Sequence, residues 1–196
     1  DALRERRLLE RLLAATASPD PARLRQLGLA RARSGAASDA EPLLWAAFER
    51  DPRDLPVLEA LESLTRARDD RAGLLRVLEA RFGLVGDVQR PELAREVWQL
   101  AASLGERERS LVWLRRACAL GEPDLSDLRA WLELERAVGD RLHALGVIEL
   151  LLAALDLSPE RAELQAEQAA LLEARGQLEN AATSWRDAVA AHPRAP

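Results

Sequence analysis

A repeat of 34 residues is the feature that most restricts how this chain can fold. The stretches 21–54 and 162–195 carry small residues and proline at the same places. The matching pairs, at positions 8, 15, 20, 27 and 32 of each stretch, are Gly28 and Ala169, Gly35 and Gly176, Ala40 and Ala181, Ala47 and Ala188, and Pro52 and Pro193. Leucine and alanine also recur every three or four residues along the chain, which predicts helices throughout. Such units bury their apolar faces by stacking on one another.

This period, with small residues at 8, 20 and 27 and proline at 32, resembles the tetratricopeptide repeat (TPR). The resemblance implies an all-α fold, a right-handed α-α superhelix (TPR-like solenoid) of antiparallel helix pairs, helix A and helix B. We expect a single solenoid over residues 1–196, with a leading helix within 1–20 and repeats 1 to 5 at 21–54, 55–90, 91–124, 125–161 and 162–195. Repeats 1 and 5 carry the resemblance most clearly, and the three central repeats diverge from it.

Cap and turn residues support this division. Asp54, Asp124 and Ser158 are predicted N-caps, each just before a helix A. Glycine, which tolerates positive φ, marks the turn from helix A to helix B in four repeats, at Gly35, Gly105, Gly139 and Gly176. Repeat 2 has Arg68-Asp69-Asp70 at this turn instead.

The leading segment predicts one more amphipathic helix, over residues 2–16, with leucines at Leu3, Leu8, Leu9, Leu12 and Leu13. By its phase it is a helix B without its helix A, or else an N-terminal cap. Because the chain contains no methionine, we expect it to be a fragment of a longer protein.

Composition limits the classes of partner. The chain is 48% hydrophobic and 31% charged, with a net charge of −5, which favours neither nucleic acid nor anionic lipid. All 28 basic residues are arginine, which indicates a GC-rich, bacterial coding bias or else selection for carboxylate pairing. Without a targeting signal or an apolar run long enough for a bilayer, the default compartment is the cytoplasm, and the periplasm stays open.

Catalytic chemistry finds little support in the sequence. The two histidines, His143 and His192, stand apart from any metal-ligand spacing. The one cysteine, Cys118, is interpreted as a small buried residue, since no base accompanies it. We therefore expect no enzyme, no metal and no cofactor.

The five tryptophans are interpreted mainly as core residues. Trp98, Trp131 and Trp185 occupy positions that the TPR family buries between helices. Trp45 and Trp113 occupy less strictly buried positions and are the better candidates for a contact surface.

The concave face implied by the resemblance is the candidate binding site. Carried over by position, helix A places on it Arg25, Leu29, Arg33, Glu59, Ser63, Arg66, Arg95, Gln99, Ser103, Arg129, Glu133, Arg136, Glu163 and Glu173. Guanidinium groups suit carboxylates, so an acidic or C-terminal peptide is the predicted ligand. The predicted binding residues are Arg25, Arg33, Arg66, Arg95, Gln99, Arg129 and Arg136, although so much arginine could also reach one face by chance. TPR domains that clamp chaperone C-termini use lysine and asparagine, which this face lacks.

These observations predict a non-catalytic scaffold that binds a protein or peptide partner in its groove. Two alternatives remain open: a regulatory domain of a larger sensor or kinase, and a structural solenoid that forms homo-oligomers through its ends.

Overall fold

The computed structural model describes residues 20–138 and 141–191, with Leu142 described by its backbone alone. The described chain is helical, and it divides between Gln89 and Arg90 into two compact units. The N-terminal unit contains α1 (Pro21–Arg33), α2 (Ala37–Arg50), α3 (Leu55–Ala67) and α4 (Arg71–Phe82). The C-terminal unit contains α5 (Arg90–Ser103), α6 (Arg107–Leu120), α7 (Leu125–Val138), α8 (Arg141–Ala154), α9 (Pro159–Ala174) and α10 (Leu178–Ala191). The predicted helix over residues 2–16 lies outside the described residues.

Helix pairs are the building blocks of both units. Within each repeat helix A packs on helix B: α1 on α2, α3 on α4, α5 on α6, α7 on α8 and α9 on α10. Inside a unit, helix B also packs on the next helix A, as α2 does on α3 and α8 on α9. The all-α, TPR-like fold predicted from the sequence is confirmed. Its organisation as a single solenoid stays a prediction.

The predicted caps and turns form as expected within the described residues, and the predicted turn glycine Gly139 lies outside them. The side chains of Asp54, Asp124 and Ser158 each accept a hydrogen bond from the backbone N–H three residues later. Gly35, Gly105 and Gly176 adopt φ values of 77°, 76° and 75°, the left-handed region that favours glycine. In repeat 2 the same conformation falls on Asp69, with a φ of 53°.

Small residues allow the helices of a pair to approach closely. A Cβ atom added to Gly28 of α1 would lie 2.8 Å from Cδ2 of Leu44 in α2. Leu44 is fully buried in the core of the N-terminal unit, where it packs with Phe48 and with Leu58 of α3. The small residue at position 8 of the repeat therefore has a packing cause here.

Two of the tryptophan assignments were wrong. Trp185, expected in the core, is 39% exposed, and Trp113, expected at the surface, is only 7% exposed. Trp113 stands eight residues after the turn glycine, and the residues eight after the turn elsewhere are also buried: Leu43, Val77, Val147 and Ser184. Trp185 lies on a side of α10 that no helix of the described chain covers.

Candidate partner-binding face

The predicted binding residues lie on the helices A of the two units. Arg25 and Arg33 are on α1, Arg66 is on α3, Arg95 and Gln99 are on α5, and Arg129 and Arg136 are on α7. Gln99 follows Arg95 by four residues, one helical turn, so both share a face of α5. Both are exposed, as are Arg33 and Arg136.

In the C-terminal unit, arginines of one helix A pair with carboxylates of the next helix A. Nη2 of Arg95 donates to Oδ2 of Asp127 over 2.6 Å. Arg129 makes a bidentate contact with Glu160, through Nε at 2.6 Å and Nη2 at 2.7 Å. These contacts join α5 to α7 and α7 to α9.

Arg136 extends this row of contacts by one helical turn. Its Nε donates to Oε1 of Glu167 in α9 at 3.1 Å, and its terminal nitrogens contact Glu167 and Glu133. We call the pairs Arg95–Asp127, Arg129–Glu160 and Arg136–Glu167 the inter-repeat ion pairs.

The charges of these pairs shift their titration. The hydrogen bond from Arg129 is the main cause that holds the pKa of Glu160 below its ordinary value. The hydrogen bond to Asp127 is the main cause that raises the pKa of Arg95. Burial raises the pKa of the nearby Cys118 thiol to about 11, with the charge of Asp127 adding to the effect.

The N-terminal unit uses its arginines in a similar way. Nε of Arg25 contacts Oδ2 of Asp54, the residue that caps α3. Arg66 donates to Glu62 on its own helix at 3.0 Å, and Arg81 of α4 contacts the second oxygen of Glu62.

Sequence reasoning identified the arginines and missed their acidic partners. Asp127, Glu160 and Glu167 follow their arginines by 32, 31 and 31 residues, close to one repeat. A basic and an acidic residue one repeat apart were therefore visible in the sequence as a signal of inter-repeat pairing.

A buried polar cluster lies behind this face, between α6 and α7. Glu135 is fully buried. It accepts hydrogen bonds from Arg115, through Nε at 2.9 Å and Nη2 at 2.8 Å, and from Nε1 of Trp131 at 2.6 Å. Both carboxylate oxygens of this buried charge are thus satisfied, as burial of a carboxylate requires.

One cavity opens among α7, α8 and α9. Its volume is about 380 Å³, and it is lined by Glu135, Arg136, Arg141, Ala144, Glu167 and Leu171. Charged groups thus stand beside an apolar wall of Ala144 and Leu171. This is the combination needed to hold a side chain that has an apolar body and a polar tip.

Other sites are few in the part of the chain that the structure describes. Over residues 20–138 and 141–191 no three His, Cys, Asp or Glu residues gather as metal ligands. His143 is exposed on α8. None of the described helices combines the length and apolar character that a membrane span needs.

Comparison with known proteins finds similarity at the level of structure. No protein-family model and no curated protein sequence matches the chain. The structure of YrrB, described as a TPR protein with an unusual peptide-binding site, is 14% identical with a TM-score of 0.43, covering 89% of this chain and 88% of that chain. MamA AMB-1 is 16% identical with a TM-score of 0.45, covering 90% and 93%. Nearly identical TPR-like repeats from Podosopora anserina are 17% identical with a TM-score of 0.43, covering 88% and 96%. The assignment of the fold rests on the helix pairs themselves, and no ligand or residue role follows from these proteins.

Proposed function

We propose that this TPR-like chain is a non-catalytic scaffold that binds an acidic segment of a protein partner on its helix A faces. Arg25, Arg33 and Arg66 would serve in the N-terminal unit, and Arg95, Gln99, Arg129 and Arg136 in the C-terminal unit. The observation that carries the proposal is that Arg95 and Arg129 are exposed on consecutive helices A, α5 and α7, and that each has N–H groups not used by its internal partner.

The spare donors follow from the geometry of the inter-repeat ion pairs. A guanidinium carries five N–H donors. Arg95 reaches Asp127 through Nη2, and Arg129 reaches Glu160 through Nε and Nη2. The side chains of both arginines are nearly half exposed, at 44% and 47%. A carboxylate from a partner can therefore add to each arginine without displacing the internal one.

The cavity among α7, α8 and α9 supports the same face with an apolar contact. Arg136 and Glu167 belong both to the inter-repeat ion pairs and to the cavity lining. A partner segment lying along Arg95 and Arg129 could thus place a side chain against Leu171. Charged contacts would set orientation and register, and the buried side chain would add affinity.

The test must leave the inter-repeat ion pairs intact. Replacing Arg95 or Arg129 would leave Asp127 or Glu160 without its partner, so lost binding would be confounded with lost stability. Gln99→Glu instead adds a negative charge to the same exposed face, one turn from Arg95, where it repels an acidic partner and competes for the arginine.

The matched control is Val112→Glu, which places the same charge at an exposed position of α6. The wild-type chain and both variants are used as bait in lysate of the organism that encodes the chain, and captured proteins are identified by mass spectrometry. We expect a partner that is lost with Gln99→Glu and kept with Val112→Glu, and that binds through an acidic peptide of its sequence. A captured set that Gln99→Glu leaves unchanged would refute binding at this face.

A further inference from the structure

The outer side of α10 carries an apolar stripe. Leu178, Trp185 and Val189 are all exposed. They are spaced by seven and four residues, which brings them within about 20° of one line along the helix. Nε1 of Trp185 donates to Oε1 of Glu173 at 2.9 Å, so the ring lies beside the end of α9. We call Leu178, Trp185, Val189 and Glu173 the α10 face.

Earlier helices B bury the equivalent position. Trp185 stands nine residues after the turn residue Gly176. The residues nine after the turn in the four preceding repeats are fully buried: Leu44, Leu78, Leu114 and Ile148.

In two of these repeats the structure shows the helix that does the covering. Leu58 of α3 lies in the same core cluster as Leu44, and Leu164 of α9 lies in the same cluster as Ile148. The α10 face therefore has the composition of a surface on which a further helix packs.

The charge of the face indicates which kind of helix fits. Three residues before the turn, α3 and α7 carry Arg66 and Arg136, and Arg136 pairs with Glu167 of α9, the next helix A. In α9 the same position holds Glu173. A helix that covers α9 and α10 as α9 covers α7 and α8 must therefore bring a basic residue where Glu167 is acidic.

We propose that residues 2–16 of a second copy of the chain dock on the α10 face. The segment lies outside the described residues. Its helix is the one predicted from the sequence, where its phase assigns it to a helix B of its own chain; on the second copy it takes the place of a helix A. The side of α9 turned towards α7 and α8 reads Glu160, Leu164 and Glu167, at spacings of four and three residues. The segment repeats that spacing with reversed charge, in Arg4, Leu8 and Arg11.

Placed in this register, Arg11 takes the position of Glu167 and meets Glu173, and Leu8 takes the position of Leu164. Overall charge agrees, since the segment has four arginines and two glutamates, whereas α9 and α10 together have six acidic and two basic residues. The contact joins two different surfaces, head to tail. It can repeat from copy to copy and gives an open chain of subunits rather than a closed dimer.

Sedimentation velocity of the 196-residue chain over a range of concentrations tests the proposal. We expect mass to increase with concentration, and Val189→Glu to raise the dissociation constant about tenfold or more, because it places a charge within the apolar stripe. Val112→Glu, at a similarly exposed valine of α6, should leave the dissociation constant unchanged. A wild-type chain that stays monomeric at every concentration overturns the proposal. That outcome includes the case in which residues 2–16 dock on α10 of their own chain.

Charge reversal tests the register. Arg11→Glu and Glu173→Arg should each weaken self-association by about tenfold. The double variant Arg11→Glu/Glu173→Arg should restore it, with unchanged helical circular dichroism throughout. Failure of the double variant to restore self-association overturns the pairing. Because Gln99 is remote in sequence from both partners of this contact, the capture experiment with Gln99→Glu fails or succeeds independently.

Discussion

The buried charge cluster between α6 and α7 offers the sharpest test of the energetics of this fold. Arg115→Leu would leave the carboxylate of Glu135 fully buried with only the Trp131 N–H as a described partner. Breaking a buried pair by removing one partner costs about 3–5 kcal/mol. Because one third of the Arg115 side chain is exposed, water screens part of the interaction, and we expect the lower end, about 3 kcal/mol.

The reverse change should cost less. Glu135→Leu leaves the charge of Arg115 in contact with water, since one third of that side chain is exposed. It also leaves the Trp131 N–H without its acceptor, and the cost is about 1–3 kcal/mol. The double variant removes the charges together and should cost about 1–2 kcal/mol, which is less than the sum. The cycle should thus show a coupling energy of about 2 kcal/mol or more.

Urea unfolding at neutral pH measures these differences, followed by far-UV circular dichroism and by tryptophan fluorescence. If the circular dichroism and fluorescence signals change over the same range of urea, unfolding is treated as two-state. If they separate, the transition that the substitution shifts is assigned to the unit that contains α6 and α7. Arg71→Leu is the control, since it removes an arginine whose pair with Asp69 is largely exposed, and it should cost less than about 1 kcal/mol. Additive single changes, or an Arg115→Leu variant as stable as the control, would refute the reasoning.

Three further outcomes are expected. Gly28→Ala should lower the free energy of unfolding by about 1–3 kcal/mol, because its Cβ would lie 2.8 Å from Leu44, and a stabilised variant in urea unfolding would contradict this close approach. The hydrogen bond from Arg129 lowers the pKa of Glu160 below its ordinary value, so this carboxylate stabilises the fold above that ordinary pKa and loses the contribution as pH falls through the lowered pKa. Arg129→Gln should therefore reduce the slope of stability against pH in that acidic range. With its pKa raised to about 11, Cys118 should react slowly with a maleimide at neutral pH and faster towards alkaline pH, and a rate equal to that of a free thiol would contradict the raised pKa.

Periodicity and capping chemistry predicted most of the fold because both act locally. The caps Asp54 and Ser158 and the turn glycines depend on backbone groups a few residues away, so a single sequence contains all that they need. The burial of Trp113 could also have been predicted, because the residue eight positions after the turn is apolar in three of the other four repeats, at Leu43, Val77 and Val147.

The candidate site was less predictable because its state depends on contacts between repeats. Arg129 and Arg136 were recognised as arginines of one face, but their engagement by Glu160 and Glu167 depends on which side of α9 packs against α7. The predicted burial of Trp185 was wrong for the same reason. Its position is buried only where another helix covers it, and the residue type carries no information about that helix.

The turn of repeat 2 has an aspartate where the other described turns have a glycine. Asp69 adopts the left-handed conformation that glycine adopts at the other described turns, and aspartate tolerates it at a cost that glycine avoids. Relief of this backbone cost should raise the free energy of unfolding of Asp69→Gly by about 0.5–1 kcal/mol. The loss of the exposed Arg71 pair and the freedom of glycine in the unfolded chain each offset part of this gain. Thermal unfolding of this variant beside Asp70→Ala, which should lose about 1 kcal/mol with the side-chain cap of α4, separates the two neighbours. If Asp69→Gly destabilises as much as Asp70→Ala, then Asp69 stabilises the turn through its side chain, and the backbone strain assigned to it is too small to matter.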